Sequence, residues 1–153
     1  MTSPISPINK HYLVVVADQS RAVLYSRDTL RGSLKELRSF TNEAARMKTG
    51  DLLADRGGRS FDSHGQGRHT MQSEKADPKQ HIATAFAKKI AETIAADVHK
   101  GTCRGFALVA APRFLGTLRQ EISTVVKSEP YATIDKDVVG KDEAVIEELL
   151  ARA

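Results

Sequence analysis

Seventeen residues, Asp55 to Met71, read DRGGRSFDSHGQGRHTM and hold four glycines, three arginines and two histidines. Glycine concentrates where backbone takes positive φ or comes close to another molecule. Arginine beside it offers a planar cationic fork that matches phosphate or carboxylate. The candidate binding residues are Arg56, Gly58, Arg59, Ser60, Asp62, His64, Gly65, Gln66, Gly67, Arg68 and His69. Here Arg56, Arg59 and Arg68 can contact phosphates while the glycines let backbone amides draw near. The competing reading is a charge-balanced surface loop, since Asp51, Asp55 and Asp62 offset the arginines.

Other chemistries find less support. Ser60, Asp62 and His64 are sequence neighbours, whereas the members of a hydrolytic triad converge from separate segments. No G-x-S-x-G elbow and no Walker loop is present. His64 and His69 stand five apart without a cysteine partner, unlike the paired ligands of zinc sites. No metal and no cofactor is expected, and the residues favour a binding protein over an enzyme.

The segment must be positioned by what flanks it. HYLVVVAD, from His11, is a β-branched run that suits a strand buried on both faces. QSRAVLYSR follows after a polar turn and predicts a hairpin. GSLKELRSF is a weaker, mostly polar third strand, and NEAARM starts a short helix. From about residue 48 to 76 neither a period of 2 nor one of 3.6 is sustained, and half of the ten glycines fall there. A long irregular stretch inside a small domain is usually functional or disordered.

Helical order returns at DPKQHIATAFAKKIAETIAADVHKG. Asp77 is a good N-cap, Pro78 suits the first helical position, and Gln80 completes a capping-box pattern. Ile82, Phe86, Ile90, Ile94 and Val98 recur every fourth residue along one side, and Gly101 is placed to end the helix. His81 and His99 read as surface residues and His11 as a strand entry. GFALVAAP predicts a second central strand. RFLGTLRQEI predicts a helix with Phe114, Leu115, Leu118 and Ile122 inward. YATIDKD reads as a strand near an edge. KDEAVIEELLARA predicts a closing helix that buries Val145, Ile146, Leu149 and Leu150.

The order β-β-β-α-β-α-β-α implies an α/β fold: a mixed five-stranded sheet in the order 3-2-1-4-5, the ribonuclease H-like arrangement. Two-metal nucleases on such folds need clustered carboxylates. Asp18 ends the first strand, but Ala110, Ala111 and Pro112 end the fourth, so Asp18 reads as a turn former. One domain is expected over residues 11–153, preceded by a flexible tail over residues 1–10.

Composition narrows the setting. With 153 residues and 41% hydrophobic content, the chain is sized for one core. Cys103 is the sole cysteine, so no intrachain disulfide forms, and it reads as a partly buried small hydrophobe. No signal peptide and no membrane-length apolar run is seen, which leads us to expect a cytoplasmic protein without membrane insertion. The charge of +4 permits an anionic partner. Aromatics are 5% and tryptophan is absent, which argues against a base-stacking platform.

VVVADQSRAVLYS, DLLADRGGRSFDSHGQGRHTM, DPKQHIATAFAKKIAE and LVAAPRFLGTLR together resemble the bacterial host attachment family, "protein required for attachment to host cells", over about residues 11 to 150. The element order is also similar to the middle domain of eukaryotic and archaeal peptide-chain release factors and of Pelota. In release factors a Gly-Gly-Gln loop between the third strand and the long helix promotes peptidyl-tRNA hydrolysis. The matching place here holds Gly65-Gln66-Gly67-Arg68-His69, with the glutamine between the glycines. The resemblance implies an RNA-facing loop and names Gln66 as the one catalytic candidate. A glutamine shifted by one residue presents a different amide to the reacting ester. The expected function is RNA or ribosome association in translation control or rescue, with ribosomal RNA or tRNA as partner. The alternatives are a host attachment factor acting through protein contacts and a peptidyl-tRNA hydrolase using Gln66.

Overall fold

The computed structural model of the chain describes residues 10–46 and 77–153. The β-branched run at its start forms β1 (His11–Ala17), in which Leu13 through Ala17 are all buried. A strand this apolar has no face for water, so it belongs at a sheet centre. A tight turn leads to β2 (Arg21–Arg27) and then to the edge strand β3 (Lys35–Thr41), whose residues are exposed except for half-buried Phe40. Lys35, Glu36 and Arg38 on that strand discourage edge-to-edge pairing. A short helix α1 (Glu43–Arg46) follows, as NEAARM predicts.

The long helix α2 (Pro78–His99) leads to β4 (Cys103–Ala110), then α3 (Pro112–Val125), β5 (Ala132–Ile134) and α4 (Glu143–Arg152). Among the described residues the strands form one five-stranded sheet in the order β3-β2-β1-β4-β5. β1 pairs antiparallel with β2 and parallel with β4, and β5 runs parallel to β4. The mixed sheet and its 3-2-1-4-5 order are as the sequence predicts.

The pleat sends alternate residues to opposite layers. Leu13, Val15, Phe106 and Leu108 meet Phe86, Ile90 and Ile94 of α2 and Phe114, Leu118 and Ile122 of α3. Val14, Val16, Ala107 and Val109 meet Tyr25 and Ile146 on the other side. The row spaced by four along α2 therefore faces the sheet, with Ile82 and Val98 half-buried at its two ends.

Local stop signals act as their chemistry requires. Asp77 Oδ1 accepts the Lys79 N–H at 3.0 Å, capping α2, with Pro78 next to it. Gly101, at φ 81°, ends α2 in the left-handed region, and its N–H donates to the Val98 carbonyl at 3.0 Å.

Three expectations need correction. Gln80 does not close a capping box: its Nε2 donates to Thr84 Oγ1 at 3.0 Å, one turn further along. Val145 is not buried but 41% exposed, because Ile146 alone points squarely at the sheet while Leu149 and Leu150 are half-buried. The third and fifth strands are shorter than the stretches GSLKELRSF and YATIDKD that predict them. Leu34 lies just before β3, buried, with its own N–H donating to Glu147 Oε2, and β5 spans only three residues. Residues 1–9 of the expected tail lie outside the described residues.

Candidate functional site

All eleven candidate residues, Arg56, Gly58, Arg59, Ser60, Asp62, His64, Gly65, Gln66, Gly67, Arg68 and His69, lie outside the described residues. What the structure does describe is the frame from which that segment departs and to which it returns. Thr41, at the end of β3, is opposite Arg21 at the start of β2, beside the carboxyl end of β1. The chain leaves from α1, which packs on α2. It returns at Asp77. The first half of α2 lies against the start of α3, where Phe86 and Phe114 place their ring centroids 6.0 Å apart. Since α3 follows directly on β4, both attachment points sit at one rim, the carboxyl ends of β1 and β4.

Asp18 shows how the rim is built. Its Oδ1 accepts the N–H groups of Ser20 at 2.7 Å and Arg21 at 2.9 Å, closing the turn between β1 and β2. That carboxylate is occupied as a turn former, as the sequence suggests. Asn42 then ties the turn to the exit of β3. Its N–H donates to the Ser20 carbonyl at 2.8 Å, and its Nδ2 donates to the Gln19 carbonyl at 2.9 Å. The Ala111 N–H donates to the Ala17 carbonyl at 3.3 Å, joining the ends of β1 and β4.

Besides α4, whose first turn carries Glu143, two helices begin at this end of the sheet, α2 and α3, and they differ in how they are capped. α2 has its Asp77 cap, whereas Ala111 gives α3 no side-chain cap. The first backbone N–H groups of a helix carry partial positive charge and suit an anion. Lys79 and Arg113, in the first turns of α2 and α3, are exposed, as is Arg21. Ligands of open α/β sheets bind outside strand carboxyl ends where neighbouring connections diverge, and the β1–β4 boundary is that place here.

Among the described residues no group of three His, Cys, Asp or Glu side chains is placed to hold a metal ion. His81 and His99 are exposed on α2. His11 begins β1 and bonds Asp97 at 2.9 Å, while Asp97 Oδ1 also accepts the Thr102 hydroxyl at 2.7 Å. That cluster fastens the last turn of α2 to the start of the sheet. Cys103 is half-buried, and burial pushes its thiol up, away from the reactive thiolate.

The model for "Protein required for attachment to host cells" matches residues 13–150 of the chain. The chain belongs to this host attachment family. The match runs from β1 into α4, so the family domain includes the rim and the segment 47–76 together. The comparison with curated proteins found no match. Among the described residues of this host attachment protein, no helix is long and apolar enough to cross a membrane.

Two rim and sheet residues escape a reading of the sequence. Asn42 looks like any polar residue before a helix. Arg27 continues the inward alternation of Val23 and Tyr25, and a charge at an inward position was the available signal.

Proposed function

We propose that this host attachment family protein binds structured RNA, ribosomal or transfer RNA, through its basic glycine-rich segment. The observation that supports this reading is the convergence of both attachment points of residues 47–76 on a rim with two helix N-termini and exposed Lys79 and Arg113. A phosphate backbone is the ligand such a rim suits. In this reading the domain spans residues 11–153 behind a short tail. Its sheet order is that of a ribonuclease H-like fold of the release-factor middle-domain kind, and the protein acts in the cytoplasm. Arg59 and Arg68 contact phosphate, while Gly65 and Gly67 keep backbone amides approachable.

The family description favours a second reading, attachment through protein–protein contact. Co-sedimentation with ribosomes across a salt series separates the two. RNA binding through n phosphate contacts gives log K falling with log salt at a slope of roughly 0.7 to 0.9 per contact. The Arg59→Ala, Arg68→Ala double variant should lower that slope by about two contacts. Salt-insensitive binding would remove RNA as the partner, and equal binding by both proteins would remove the RNA role of these two arginines. Peptide release from charged tRNA that disappears in Gln66→Ala would establish hydrolysis by Gln66.

A further inference from the structure

Arg27 closes β2 at the opposite end of the sheet from the rim, facing Tyr12 of β1. It is 4% exposed. Its Nε donates to the Gly32 carbonyl at 3.2 Å, and its Nη1 is buried without a hydrogen-bond partner. It forms no ion pair with a described carboxylate. A buried guanidinium with an unsatisfied donor is costly, because the desolvation of that N–H is not offset by a hydrogen bond. The side chain does not stand against a sealed core, however. It lines a cleft of about 380 Å³ between the β2–β3 turn and α4. That volume falls within the range of small-molecule sites, roughly 300–1,000 Å³.

We propose that the Arg27 guanidinium is the receptor of a second site, which takes the oxyanion, carboxylate or phosphate, of a small ligand seated in this cleft. With Nε committed to Gly32 and the side chain also hydrogen-bonded to Tyr131, the buried Nη1 is the donor left over for the oxyanion, and the guanidinium must turn toward the cleft to present it. Burial pushes the Tyr131 pKa up, and the charge of Arg27 together with a hydrogen bond from its side chain opposes that push, so the Tyr131 hydroxyl stands against the guanidinium at the cleft. Arg31 adds a second cation to the lining, and Leu30, Ala132 and Leu150 supply an apolar wall for a carbon skeleton. Glu147 also lines the cleft, with its Oε2 accepting the Leu34 N–H at 2.9 Å. A fixed carboxylate there repels extended polyanions and selects ligands with one oxyanion. Arg31 and Arg104 share the adjoining open cleft with Tyr12 and steer anions toward the mouth. The site is independent of the RNA reading, since it uses no residue of the rim or of the segment 47–76.

The test is nuclear magnetic resonance of the full chain labelled with 15N, following the arginine Nε–Hε signals and the backbone amides of Leu30 to Gly32. Inorganic phosphate, acetate and chloride are titrated separately at constant ionic strength. The Arg27 Nε–Hε signal should shift saturably with phosphate or with acetate and not with chloride. Whichever of the two anions saturates at lower concentration identifies the oxyanion class. Arg31→Ala should weaken that response several-fold while leaving the fold's spectrum in place. Arg27→Lys, which keeps the charge and loses the fork, should abolish the saturable shift of the Leu30–Gly32 amides. An Arg27 signal that stays still, or drifts linearly and alike with all three salts, overturns the proposal. So does an undiminished amide response in Arg27→Lys. If that variant does not fold, the wild-type Nε–Hε titration and Arg31→Ala decide.

Discussion

Replacing Phe86 with alanine should remove the contact that holds the two rim helices together. Phe86 is 4% exposed and packs its ring on Phe114, itself 3% exposed, at a centroid separation of 6.0 Å. Around them lie Ala83, Ile90 and Leu118, all buried and all anchored on α2 or α3. Losing a buried phenyl costs its transfer free energy plus a cavity term, about 3–5 kcal/mol together. A domain of this size has roughly 5–15 kcal/mol in total. With a urea slope of about 1–3 kcal/mol per molar, the denaturation midpoint should fall by about 2 M. The thermal midpoint should fall by about 10 °C, at roughly 2–4 °C per kcal/mol. Circular dichroism at 222 nm during urea titration measures this directly, and the slope should stay constant. Phe86→Leu, which keeps most of the volume, should cost under about 1.5 kcal/mol. A midpoint change in Phe86→Ala smaller than about 0.5 M, roughly 1 kcal/mol, would refute the packing described between α2 and α3.

Three further outcomes are expected. Asn42→Ala removes the 2.9 Å bond from a buried amide to the carbonyl of exposed Gln19, so it should lose about 0.5–1.5 kcal/mol in the same denaturation assay. An unchanged midpoint would mean that water replaces the amide. Asp77→Ala removes the cap from α2 and should cost about 1 kcal/mol. Hydrogen exchange should quicken at Lys79 to His81 and not at Ile94, and uniform protection would contradict the capping role. Cys103 has its pKa raised, chiefly by burial, so the thiol is held protonated at pH 8 and should react with a disulfide reagent more slowly than a free cysteine. Its rate should climb as pH rises through the shifted pKa, and a rate equal to free cysteine at pH 8 would contradict its partial burial.

Short-range chemistry was readable in the chain alone. Apolar residues spaced by four, an Asp-Pro start and a Gly stop define α2 because periodicity and capping are settled within a few neighbouring residues. The two most apolar runs had to be the central strands, β1 and β4, because only a centre covers both faces. Asp18 could be read as a turn former because its bonds reach only to Ser20 and Arg21. The glycines and arginines of residues 55–71 carry their chemical character in the sequence, but they lie outside the described residues.

Tertiary structure decided what depends on partners far along the chain. Val145 and Ile146 are adjacent apolar residues, and only the placement of α4 on the sheet determines that one is exposed and the other buried. The His11–Asp97 bond joins residues 86 positions apart, and Leu34 meets Glu147 across 113 positions. Arg27 is an ordinary strand-end arginine until α4 and the β2–β3 turn close around it and leave its Nη1 without an acceptor. Such pairings rest on which surfaces meet when the layers stack. No local period encodes that, because the free energy of burial is proportional to the area removed from water and indifferent to sequence distance.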